Sequence, residues 1–360
     1  MRINHITIKN YKSIKELNEL ELKNLNILIG ANGAGKSNFI SFFKMLNMII
    51  EKRFQEYVIT QGGANNILHF GSKVSSEIYG NVGFLNNAYT FHLKPTDADT
   101  LFFNEEATPY IGANIIGRSN EETKLFETRG SKIHGRGHKG VSDHVIDALQ
   151  SWRVYHFHDT SSTAGVKKYC QIGDNKTLRP DASNLAAFLY LLKQKYHDSF
   201  FMIEETVKLI APYFDRFVLE PNALNEETIR LEWREVGSDN YFNANHLSDG
   251  TLRMICLTTL LLQPNPPDTI IIDEPGLGLH PYAITVLASL MKSFATTKQL
   301  IVSTQSVTLI NHFEAQDIIV TDKKDGASVL RRLDADELEA WKDDYSLGEI
   351  WEKNIIGGRP

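Results

Sequence analysis

The sequence predicts an α/β protein with a mostly parallel core sheet, on three observations. An apolar strand at residues 25–29 runs straight into a glycine-rich turn and then a helical pattern. The last third of the chain alternates strand and helix, the order that makes a parallel sheet covered by helices. A branched-apolar run, Thr269, Ile270, Ile271 and Ile272, ends in Asp273-Glu274-Pro275.

The elements follow in order. Residues 3–11 alternate apolar and polar, which predicts a strand. After the turn at 30–37, Phe39, Phe42, Phe43, Leu46 and Ile49/Ile50 recur at helical spacing over 38–52. Residues 76–93 read as a hairpin turning near Asn86-Asn87. From 97 to 140 the chain is polar and glycine-bearing, with weak strand signals at 110–116 and 124–127, and the least regular structure is expected there. A strand at 152–157 precedes helices at about 183–197 and 200–211 and strands near 215–220 and 228–236. An apolar helix opens after 247–251. Then come the 269–272 strand, a helix from Pro281, a strand into Ser303-Thr304-Gln305-Ser306, a short helix, and a strand at 317–321.

The 360 residues carry 38 Lys+Arg against 44 Asp+Glu, a net charge of −6, so bulk charge attracts no polyanion. A hydrophobic fraction of 42% supports a real core and excludes overall disorder. Two cysteines, Cys170 and Cys256, form neither a disulfide framework nor a thiolate metal site. The amino end lacks a signal-peptide core, and no apolar stretch approaches the roughly 20 residues of a membrane span. A cytoplasmic protein is expected.

Residues 30–37, GANGAGKS, match G-x-x-x-x-G-K-[ST], the Walker A loop of P-loop NTPases. The glycines let backbone N–H groups turn inward around phosphates, Lys36 reaches the β and γ phosphates, and the Ser37 hydroxyl ligates Mg²⁺. Gly30, Asn32, Gly33, Ala34, Gly35, Lys36, Ser37 and the following Asn38 are therefore the candidate ATP-binding residues. At the end of the 269–272 strand, Asp273 is placed to hold Mg²⁺ through water, and Glu274 to polarise the attacking water as general base. An Asp-Glu pair alone would be an ordinary helix-entry charge; beside a Walker A loop it reads as a hydrolytic site. His156 and His158 offer only two alternating rings with no third ligand, so they read as sheet packing. Arg129, Lys132, Arg136 and Lys139, with His134 and His138, form the one basic cluster. It reads first as a solvated loop and second as a phosphate-tracking one.

Further segments carry a resemblance. Residues 247–251, LSDGT, are similar to the ABC signature LSGGQ, 275–281 (PGLGLHP) resemble the D-loop, and STQS stands where the switch histidine belongs. The amino-terminal IKNYKSI resembles the RecF/SMC-like branch, and YSLGEIWEKNIIGGRP at 345–360 resembles small prokaryotic AAA_21-type ATPases of anti-phage defence. The resemblance implies an ABC-ATPase head with an antiparallel β lobe and a helical insertion. It divides a single 1–360 unit into lobe I with Walker A (1–95), an insertion and helical region (96–246), the signature, Walker B and switch region (247–325) and a tail (326–360). It also implies a homodimer sandwiching ATP, with Ser248 and Gly250 of one subunit completing the other's γ-phosphate site and Gln305 taking the switch role. Lys12 is a further candidate near nucleotide, and Gln150 or the His158-Asp159 pair stands for the Q-loop. Asp249 departs from the signature glycine and Gln305 from histidine, which implies slow hydrolysis. The function implied is an ATP switch regulating a separately encoded effector, a nuclease, in defence; the alternative is a RecF-like DNA-binding ATPase in repair. A transporter subunit is disfavoured by the long insertion.

Overall fold

The computed structural model describes residues 2–110, 114–130, 140–341 and 343–359. The strands are β1 (His5–Tyr11), β2 (Ile14–Glu21), β3 (Leu25–Ile29), β4 (Ile78–Phe84), β5 (Asn87–Pro95), β6 (Leu101–Ala107), β7 (Ile115–Gly117), β8 (Trp152–Tyr155), β9 (Cys170–Gln171), β10 (Phe214–Val218), β11 (Thr228–Ile229), β12 (Glu232–Glu235), β13 (Tyr241–Asn243), β14 (Thr269–Asp273), β15 (Gln299–Ser303), β16 (Ile318–Lys324) and β17 (Ala327–Arg332). The α-helices are α1 (Lys36–Ile50), α2 (Phe54–Thr60), α3 (Ala64–Ile67), α4 (Val141–Gln150), α5 (Leu185–Lys195), α6 (His197–Ile210), α7 (Asp249–Leu262), α8 (Pro281–Ala295), α9 (Val307–Ile310) and α10 (Leu347–Glu352).

The core sheet has the order β17-β16-β3-β15-β14-β8, parallel except for β17 at its edge. Its strands are covered on both faces, which is why they read as continuous apolar runs. Side chains alternate between two cores. Ile27, Ile29, Ile270, Ile272, Leu300 and Val302 face the helices that follow β8. Leu28, Ile271, Ile301 and Ile319 face α1 and a second sheet.

That second sheet is antiparallel, β2-β1-β4-β5-β6-β7, and it continues past residue 95 to Gly117. Helix α1 lies between the sheets and is apolar nearly all round, as a helix buried on two sides must be. The Phe42 ring stacks on Phe91 of the antiparallel sheet, and Phe43 meets Trp152 of the core sheet edge-on. This double anchorage fixes where the amino end of α1 points.

The structure departs from the sequence reading in places with clear causes. β2 was missed because Ile14, Leu17 and Leu20 are buried at a spacing of three, an irregular register with Glu19 at a φ of 44°. β6 was missed because LFFNEEA turns a carboxylate, Glu106, wholly inward. Residues 125–128, expected near a strand, form a 3-10 turn. The strand expected at 228–236 is split into β11 and β12.

Candidate nucleotide site

The glycine-rich loop joins β3 to α1. A Cβ on Gly30 would strike the Thr321 carbonyl of β16, and one on Gly35 would strike the Ser328 hydroxyl of β17. Gly35 also caps α1 with a φ of 118°, which an L side chain rarely adopts. Polar contacts hold the loop from behind. Ser328 Oγ donates to the Ala34 carbonyl and accepts from Ser13 Oγ (2.7 Å), which in turn accepts from Asn38 Nδ2 at 2.6 Å.

Lys36 is only 5% exposed. Its ammonium donates to the carbonyls of Gly30 (2.5 Å) and Ala31 (3.2 Å), inside the loop it serves. Burial lowers its pKa, and the charges of Glu274 and Asp273 oppose that shift. Ser37 and Asn32 are exposed at the loop's surface.

The parallel register sets the acidic half of the site. β14 and β15 pair with Asp273 beside Ser303, whose hydroxyl donates to the Asp273 carboxylate. Glu274 leaves the strand with a φ of 43°, a conformation that costs about 1–3 kcal/mol and aims the side chain back over the sheet edge. Its backbone N–H donates to the Ser303 carbonyl (2.9 Å), and its carboxylate accepts the Gln305 N–H at 3.0 Å. The Gln305 side-chain amide in turn donates to Asn32 Oδ1 at 2.8 Å. Three strand ends, β14, β15 and β3 with its loop, are thus tied through Glu274, Gln305 and Asn32. Burial raises the Glu274 pKa above the ordinary 4.5, against the Gln305 N–H and Lys36, which favour the anion.

Ser248 caps α7, its hydroxyl accepting the Thr251 N–H at 3.1 Å. Gly250 lies against the D-loop: a Cβ there would sit 2.8 Å from the Gly278 carbonyl. Sequence reasoning missed Arg253, one turn along the same helix. Its guanidinium donates to the carbonyls of Leu277 (2.7 Å), His158 (3.0 Å) and Phe157 (3.2 Å), binding α7, residues 275–281 and the chain after β8 together. It also missed Lys167, whose Nζ lies 3.7 Å from Asp249 Oδ1 and donates to the Thr160 carbonyl at 2.6 Å. No local motif marks either residue, because each acts across a long sequence separation.

Register also separates the two Q-loop candidates. β8 runs parallel to β14 with Trp152 beside Thr269 and Tyr155 beside Ile272. Gln150 therefore sits at the opposite sheet edge from Asp273, lining a hollow with Pro266 and Asp268, and is not at the site. His158 lies at the correct edge, lining a small hollow with Asp273, Glu274 and Arg253. β8 ends at Tyr155, so His156 and His158 are not strand neighbours as expected. Among the described residues no group of three His, Cys, Asp or Glu could hold a metal.

Lys12 Nζ donates to Gln61 at 2.8 Å, while its neighbour Ser13 makes the loop contact. Both line an open cavity of about 680 Å³ with Asn38, His69 and Phe70. Of the basic cluster, Arg129 lies 3.8 Å from Asp143, whereas Lys132, His134, Arg136, His138 and Lys139 fall outside the described residues.

The donors fit ATP with Mg²⁺. Ser37 offers a hydroxyl and Asp273 a carboxylate, the one-carboxylate pattern in which Mg²⁺ takes its remaining oxygens from phosphates and water. Bound there, the ion would neutralise phosphate charge.

The fold is that of SMC ATPase heads. One is the SMC head solved with the C-terminal winged-helix domain of ScpA: TM-score 0.63, 14% identity, 95% of this chain and 100% of that one covered. Another is the SMC head with an extended coiled coil, bound to the ScpA C-terminal domain from Pyrococcus furiosus: TM-score 0.62, 12% identity, coverage 95% and 98%. No curated protein matches the chain. Among the described residues no helix is long and apolar enough to cross a membrane. A family model matches residues 25–311, from β3 through α9, and the chain belongs to that family, the AAA_21 ATPases described as "AAA domain, putative AbiEii toxin, Type IV TA system".

Proposed function

We propose that residues 1–360 act as one split ATPase unit, a molecular switch that binds ATP, dimerises around it and hydrolyses it slowly. The observation that carries this reading is the bridge from Asn32 through Gln305 to Glu274, which sets a carboxylate beside the phosphate loop. Gly30, Asn32, Gly33, Ala34, Gly35, Lys36 and Ser37 cradle the phosphates, with Asn38 bracing the loop. Asp273 and Ser37 serve Mg²⁺. Glu274 is the general base, and Gln305 orients it or the water; as a neutral donor it supplies no charge, consistent with slow turnover. Ser248 and Gly250 serve the partner subunit's nucleotide.

The output we propose is control of a separately encoded effector, a nuclease-type or toxin-like protein of prokaryotic anti-phage defence. The family description names a toxin of a toxin–antitoxin system, and the SMC heads of like fold were solved with a bound partner domain. Glu274→Gln is expected to keep ATP binding, slow hydrolysis by about 10²-fold or more, and accumulate a dimer in light scattering. A strict monomer at saturating ATP overturns the sandwich. Mg²⁺-dependent DNA cleavage by the purified chain alone overturns the separate effector.

A further inference from the structure

We propose that Arg359 contacts the nucleotide's phosphates, delivered to the phosphate loop by the segment 347–359; this rests on the nucleotide-site reading above. The segment is strongly built. α10 starts with a reciprocal cap between Ser346 and Glu349, and Trp351 is wholly buried in the core beneath β16. From there the chain doubles back on itself. Trp351 Nε1 donates to the Gly358 carbonyl at 2.6 Å, Arg331 donates to the Ile356 carbonyl at 2.9 Å, and the Gly358 N–H donates to Asp322 at 3.3 Å.

This closure lays Gly358 against the phosphate loop. β16 pairs in parallel with β3, Val320 beside Ile29, so Thr321 is level with Gly30. A Cβ on Gly358 would stand 2.9 Å from the Thr321 carbonyl and 3.4 Å from Gly30 Cα, and the residue has a φ of +61°. Only glycine suits both the space and the backbone there. The Thr321 carbonyl is thus crowded from two sides, by the first glycine of the loop and by Gly358. The next residue, Arg359, is exposed.

Chemistry favours a phosphate for its guanidinium. Lys36 already gives two of its three donors to Gly30 and Ala31, and a triphosphate needs further cationic donors. A planar guanidinium meets phosphate oxygens bidentately, which lysine cannot do. Asp322 accepts the Gly358 N–H and so helps hold the segment in place.

The test is fluorescence titration of the full chain with a fluorescent ATP analogue, alongside thermal melts without nucleotide. Arg359→Ala is expected to weaken binding about tenfold or more with an unchanged melting midpoint, and Arg359→Lys to recover part of the loss. Gly358→Val, which pushes the segment off the loop, should weaken binding similarly. Wild-type affinity in Arg359→Ala, while Lys36→Ala loses binding, overturns this proposal alone. A lowered midpoint with unchanged affinity overturns it too, since it marks a structural role. A wild-type chain that binds no ATP overturns the site reading and this one with it.

Discussion

In the proposed ATP sandwich Asp249 would bring a carboxylate to the partner's triphosphate, and Lys167 answers it. The side chain of Lys167 is 8% exposed and that of Asp249 64%, so the cation is held by the protein and the anion leans onto it. Removing the cation should leave a bare negative charge facing phosphate. Lys167→Ala is expected to weaken ATP-dependent dimerisation roughly tenfold without changing ATP affinity of the monomer. Adding Asp249→Gly should restore dimerisation in light scattering; no rescue would refute the pairing. Glu274 gives a second test. Burial holds this carboxyl above the ordinary 4.5. In the nucleotide-free protein it should therefore take up its proton at a higher pH than a free glutamate. An NMR titration of the nucleotide-free protein that places it at or below 4.5 would contradict this.

At the scale of elements, the irregular strand β6 shows what a buried acid does. Glu106 is wholly buried, and its carboxylate accepts from Tyr89 Oη (2.6 Å), the Lys124 N–H (2.8 Å) and Thr123 Oγ1. These bonds fasten β5 and β6 to the chain entering the 125–128 turn. Burial raises the Glu106 pKa above 4.5 despite the bonds, so the folded protein holds this proton more tightly than the unfolded chain. The associated stability is complete below about pH 4.5 and is lost as pH rises through the raised value. Glu106→Gln should remove that pH dependence in denaturant melts, whereas Glu106→Ala should cost about 1–3 kcal/mol by stranding the donors. A melt of Glu106→Ala identical to wild type would show that the clamp carries no stability.

Across the whole molecule, Arg253 and the Gly250–Gly278 contact weld α7, residues 275–281 and the chain after β8 into one face. Leu277 is 53% and Tyr282 51% exposed, and in the proposed sandwich a second copy covers them. Leu277→Glu is expected to abolish the ATP-dependent dimer of the Glu274→Gln protein while leaving ATP affinity as it was. A dimer that survives this change would place the interface elsewhere.

The parallel core, the phosphate loop and the acidic strand end are legible in the order of residues alone. In each of these the physics is local: glycines that a turn demands, a strand apolar on both faces, a carboxylate at a fixed offset. The order of the motifs carried the resemblance. The rest came with the closed sheet. It chose His158 over Gln150, because two parallel strands put those residues at opposite sheet edges. It set Lys12 against Gln61 and gave the loop contact to Ser13. It found Arg253, Lys167 and the glycine at 358 beside Gly30. Each of these pairings joins residues far apart in the chain, and a spacing pattern holds no information about neighbours that only the closed sheet brings together.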